Sequence, residues 1–142
     1  VTEGRVVFEE KGRESLVPAG LWAPLSENGA CVPRRVYASD RFLALLAETD
    51  DPQCNTGQLT SALSAAEASD AITLWHILPR VMGKQRLEVA RRITELIEVP
   101  ADIPLDRIMA LDPKALEAWW NALGVGTLEE WKSPGLGLQK AR

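Results

Sequence analysis

Ser69-Asp70-Ala71-Ile72-Thr73-Leu74-Trp75-His76-Ile77-Leu78 decides the reading of this chain. Ala71, Leu74, Trp75 and Leu78 fall at i, i+3, i+4 and i+7, the spacing of one helix face. Ser69 stands where an N-cap belongs. Ile72 and Ile77 lie outside the stripe, so the helix is apolar around most of its circumference and belongs in the middle of a bundle. Other helices are expected around it. Ser39 caps a segment starting at Asp40-Arg41-Phe42-Leu43. Gln58 to Ala66 is a weaker, Ser- and Ala-rich helix. Lys84 to Glu98 places Val89, Ala90, Ile93, Leu96 and Ile97 on one face, with Glu88 and Arg92 as an i, i+4 pair on the other. Leu105 to Ala110 is short. Asp112-Pro113 combines a cap with proline at the first helical position, and Leu116, Trp119, Trp120 and Leu123 form the stripe that follows. Gly124 closes that helix.

Before residue 38 the composition differs. Arg5-Val6-Val7-Phe8-Glu9-Glu10 and Arg13-Glu14-Ser15-Leu16-Val17 read as two strands joined by a turn at Lys11-Gly12. After the bend Pro18-Ala19-Gly20, Leu21 to Leu25 reads as a third short strand, and 26–38 as a loop. Two or three strands are not stable alone in water, so this segment needs further sheet or a helical layer. The expected fold is mostly α: a small helical bundle with an N-terminal β-hairpin or three-stranded segment. The division is 1–38 β segment and linker, 39–125 helical bundle, and 126–142 flexible tail. Trp75 and Leu78 recur as Trp120 and Leu123, an offset within the period of HEAT-like helical hairpins.

Bulk properties narrow the function. The 142 residues contain 46% hydrophobic and 25% charged residues and carry a formal charge of −4. This is globular composition. A pI near 5.1 argues against a chain built to neutralise phosphates, so no nucleic acid is expected as partner. No stretch approaches the roughly 18 apolar residues of a membrane span. Val1-Thr2-Glu3-Gly4 offers no signal region and reads as the start of a processed chain or an excised piece.

No catalytic or cofactor-binding set emerges. A zinc site needs four ligands, and the chain holds one histidine and two cysteines. Cys31 and Cys54 either pair in an oxidising compartment or remain two free thiols. His76, on the most apolar helix, reads as a hydrogen-bonded structural residue. Asp50-Asp51 reads as a turn and Glu129-Glu130 as a solvated face. Arg34-Arg35 and Arg91-Arg92 form no phosphate-tracking stripe. Of five tryptophans, 75, 119 and 120 lie on helical stripes and read as core. Trp131 and Trp22 lie outside strong helices and read as exposed anchors for a partner, Trp131 first.

Val1, Gly4, Val6, Phe8, Leu16, Gly20, Ala23 and Gly29 fall into the pattern V-x-x-G-x-V-x-V, then L-x-x-G-x-x-A, then a terminal Gly. In this the opening segment resembles the closing part of a FecR-type domain, the periplasmic β-domain of bacterial signal regulators. The resemblance spans about thirty residues. It implies a non-enzymatic regulator in the periplasm or cell envelope that passes a signal through protein contacts to a sigma-factor system. The competing expectation is a HEAT-like helical scaffold with no envelope role, its β segment a cap.

Overall fold

The computed structural model describes residues 5–10, 13–23, 25–26, 29–35, 38–43, 56–132 and 138–141. The fold is mostly α with an N-terminal β-hairpin. Strands β1 (Arg5–Glu10) and β2 (Arg13–Pro18) pair antiparallel, with Val7 opposite Leu16. Leu16 and Val17 are both fully buried, so β2 is covered on both faces, as a strand inside a layered fold must be. Gly20 (φ +88°) permits the reversal after β2 that a side chain would resist.

The expected third strand at 21–25 and the loop at 26–38 are resolved differently. β3 (Leu21–Trp22) pairs with β6 (Arg34–Arg35), and β4 (Leu25–Ser26) pairs with β5 (Gly29–Ala30), both antiparallel. The hairpin's third strand comes instead from the far end of the chain. β7 (Leu138–Ala141) lies parallel to β1, Arg5 opposite Leu138, giving the order β2-β1-β7.

The helical body follows the periodicity closely. α1 is described over residues 40–43, with Ser39 Oγ accepting from Phe42 N–H at 3.2 Å. Then come α2 (Thr56–Ala65), α3 (Ala71–Ile77), α4 (Gly83–Leu96), α5 (Leu105–Met109), α6 (Pro113–Ala122) and α7 (Leu128–Lys132). Every residue of α3 except Trp75 is buried, which places it centrally, as its all-round apolar surface requires. Ser69 does not cap it. Instead a 3-10 turn (Ala68–Asp70) precedes α3, closed by a reciprocal box between Glu67 and Asp70, a local solution for orphan amides. A second 3-10 turn (Leu78–Arg80) follows α3. The expected Glu88–Arg92 pair is also replaced. Arg92 pairs with Glu95 at 2.8 Å and donates to Leu63 O and Ala66 O at the end of α2, while Glu88 accepts from Thr60. The carbonyls at the end of α2 lack intrahelical partners, and Arg92 satisfies two of them while keeping an ion pair on its own helix. Asp112 caps α6 through Lys114 N–H, and Arg107 at 2.7 Å holds its carboxyl below the usual carboxylate range. α3 leads into the fourteen-residue α4 and α6 into the five-residue α7, so the two tryptophan segments do not begin equal units.

Two apolar clusters result. One fills the bundle around Phe42, Leu74, Leu78, Val89, Ile93 and Trp119. The other lies between sheet and helices and contains Val7, Leu16, Val17, Ile72, Trp120 and Trp131. Trp75 packs against both.

Of the segment 126–142, expected as a flexible tail, residues 126–132 and 138–141 are described, and they hold α7 and β7. Thr127 and Glu130 exchange a capping box at the start of α7, and this turn sets Trp131 into the second cluster at 1% exposure. Trp131 cannot be the exposed anchor expected of it: its ring packs edge-on against Trp120 at 5.4 Å and its N–H donates to Val125 O at 2.9 Å. The reason is amphipathicity on too short a helix to register as periodicity. Trp131→Ala and Trp120→Ala are each expected to cost about 3–5 kcal/mol in urea unfolding, because both empty a packed core. A loss below about 1 kcal/mol at Trp131 would contradict that placement.

Candidate functional site

The chemistry-bearing side chains meet along the seam between the hairpin and α3. Strand β2 presents the N–H of Leu16 and the carbonyl of Glu14 along one edge, the geometry of alternate strand residues. Leu16 N–H donates to His76 Nε2 at 3.0 Å. The Arg80 guanidinium donates to Glu14 O at 3.4 Å and to Ser15 Oγ at 3.1 Å. Ser15 Oγ in turn donates to Cys31 O at 2.7 Å. His76 and Arg80 are one helical turn apart, so their side chains reach the edge together. They supply what a neighbouring strand would: an acceptor and a donor.

This contact sets the state of the imidazole. A backbone N–H is only a donor, so Nε2 must be the unprotonated nitrogen. Nδ1 carries the hydrogen and donates to Ile72 O at 2.8 Å. The ring is 2% exposed and stands edge-on to Trp75 at 5.0 Å and Trp120 at 5.8 Å. His76 is buried, with a hydrogen bond at each ring nitrogen.

A second clasp holds the β segment at the other end of α3. Arg35 on β6 makes a two-pronged bond to Asp70, 2.7 Å to Oδ1 and 3.2 Å to Oδ2, and reaches Glu67 at 3.0 Å. Asp70 is 1% exposed. The bond to Asp70 raises the Arg35 guanidinium above its ordinary pKa. In the sequence Arg35 is one of a scattered pair with no marked role, because its partners lie 32 and 35 residues away. The local Glu67-x-x-Asp70 spacing was the signal available, and it marks a helix start rather than a cation site.

Strand alternation puts the neighbours of Leu21 and Arg35 on the opposite face. There Arg34 stacks on the Trp22 ring at 5.6 Å while donating twice to Val32 O. Arg34 is buried, but Trp22 is 44% exposed, consistent with its reading as a surface aromatic. On the inner side a cleft of about 260 Å³ is lined by Pro18, Leu21, Arg35, Ile72, Leu123 and Val125 among others. Cys31 is buried and free, and Cys54, its candidate disulfide partner, lies outside the described residues, as do Asp50 and Asp51. Glu129 and Glu130 are exposed. Among the described residues no group of three His, Cys, Asp or Glu side chains is placed to hold a metal, and no helix is long and apolar enough to cross a membrane.

The chain matches no protein-family model, no curated protein and no solved structure.

Arg35→Ala leaves the Asp70 carboxylate buried without its cation. Fully buried pairs lose about 3–5 kcal/mol when halved; with Arg35 partly solvated, a loss of about 2–3 kcal/mol is expected in denaturant unfolding. A double-mutant cycle with Asp70→Asn should recover a large part of that loss as coupling, and independent effects would show that the clasp contributes nothing.

Proposed function

We propose that the chain is a non-enzymatic regulatory module of a FecR-like bacterial envelope protein, acting by contact with another protein. The observation that carries this reading is the exposed Trp22. It is held over buried Arg34 on a strand pair that Arg35 anchors to the helical body. A large aromatic held this way loses little freedom on binding, which is what makes tryptophan a frequent anchor in interfaces. The partner is a protein, because the acidic balance of the chain disfavours phosphate backbones. The envelope assignment and the link to a sigma-factor system rest on the resemblance carried by Val6, Phe8, Leu16, Gly20 and Ala23. The seam side chains serve docking: both nitrogens of His76 are committed to backbone groups, which favours a structural over a proton-transferring role.

Fractionation of the native bacterium tests the compartment, and transcript profiling after deletion of the coding sequence tests the signal. The expected results are recovery with the envelope and altered expression of a sigma-factor regulon. Recovery in the cytosol with unchanged transcripts would overturn the proposal and turn the reading to a helical scaffold. Trp22→Ala is expected to cost about 1 kcal/mol, the order of its lost stacking on Arg34, leaving the protein folded while reproducing the deletion's transcriptional effect. A Trp22→Ala strain that regulates normally would remove Trp22 from the contact surface.

A further inference from the structure

His76 is the only histidine in the chain, and histidine is the one side chain whose ordinary charge change falls between pH 5 and 8. It joins two structural layers through a hydrogen bond between a backbone donor and a ring lone pair. That bond is incompatible with the charged ring. A proton arriving at Nε2 faces the Leu16 N–H, donor against donor, and the backbone amide has no alternative role to adopt. The other nitrogen is already protonated and bound to Ile72 O, so no tautomeric change relieves the clash.

We propose that His76 is an acid-sensitive latch: protonation of its Nε2 releases strand β2 from helix α3. Burial and the nearest cation oppose the charge on the ring, and one carboxylate stands on the adjoining strand. Arg80, from the 3-10 turn after α3, brings its guanidinium to Ser15 Oγ and the Glu14 carbonyl, immediately beside Leu16 on β2. The carboxylate of Glu14 lies on the same strand, half-buried. From α6 the packed group is the Trp120 ring, and beyond it Arg5 of β1 stacks over Trp131 of α7 at 5.3 Å. Cys31 is buried, and its backbone carbonyl accepts from Ser15 Oγ. At the opposite end of α3, Asp70 is engaged by Arg35. The released element is β2 with its partner β1, whose remaining neighbour is β7. This inference goes beyond the proposed function and depends on neither its compartment nor its partner.

The sign follows from proton linkage. The unfolded chain's imidazole takes up a proton near pH 6.5, and the docked ring has no free nitrogen to do so. Protons therefore favour release, and the released fraction grows by up to about tenfold for each pH unit below about 6.5. The ordinary carboxylate range lies near pH 4, so a variant lacking the imidazole but keeping every carboxylate isolates the contribution of His76 between pH 7 and 5.

The test uses the purified full chain. Urea unfolding and amide hydrogen exchange, corrected for intrinsic rates, are measured at pH 7, 6 and 5 for the native protein and for His76→Gln, whose amide oxygen can accept from Leu16 without titrating. The native protein is expected to lose stability, and the Leu16 amide its protection, as pH falls, while the variant stays level over the window. Equal pH dependence in both proteins would overturn the latch. Should His76→Gln fail to fold, NMR titration of the native imidazole with the Leu16 amide as reporter decides the matter. Ring protonation accompanied by loss of Leu16 protection supports the proposal. A ring that charges with the amide undisturbed, or that remains neutral down to pH 5 with stability constant, refutes it.

Discussion

The structure depends on satisfying one buried strand edge. Leu16 is fully buried, and a buried amide left without a partner costs about 1–3 kcal/mol. A two-stranded ribbon cannot absorb such a penalty, because it is marginal in water to begin with. The hairpin is therefore possible only where another element answers its edge. Helix α3 does so with side chains: the imidazole takes the Leu16 N–H and Arg80 gives to the Glu14 carbonyl. On the other side of β1, β7 pairs through its backbone in the ordinary way. One ribbon is thus held between a helix acting as a strand and a strand from the far end of the chain.

Around that edge the aromatic residues form a continuous packed series. Trp75 meets Trp120 at 4.8 Å, His76 stands against both, Trp120 meets Trp131, and Arg5 covers the last ring. All these ring pairs are steep, edge-to-face arrangements, which the opposite signs of ring edge and face favour by about 0.5–1.5 kcal/mol beyond burial. The indole N–H groups of Trp119 and Trp120 reach no acceptor among the described residues, so packing holds these two, whereas Trp75 and Trp131 also donate to Leu116 O and Val125 O. The series links the bundle core to the sheet core. It also explains why a chain with only two phenylalanines and one tyrosine contains five tryptophans: three of them fill a single junction.

The junction also gives the proposed function its physical form. Arg35 with Asp70 fixes one end of the β segment and His76 with Leu16 fixes the middle, so the strand pair carrying Trp22 is held on a rigid base. A contact made at Trp22 would then act on the helical body through directional bonds rather than through a loose tether. Rigid support of this kind is what lets a single surface aromatic transmit a binding event.

The amino-acid sequence by itself determined the helical body, the hairpin and the central place of α3. It also placed His76 in the interior as a hydrogen-bonded residue. Each follows from interactions within a few residues: apolar spacing at 71, 74, 75 and 78, the caps at Ser39 and Asp112, and the strand–turn–strand pattern from Arg5 to Val17. Tertiary structure alone decided what lies across long separations. It recruited β7 to the hairpin, paired β3 with β6, joined Arg35 to Asp70, and buried Trp131 behind a five-residue helix. No local pattern encodes these contacts. A short helix shows too few turns for its period to be read, and a strand or an arginine finds its partner only when the whole chain has collapsed around it.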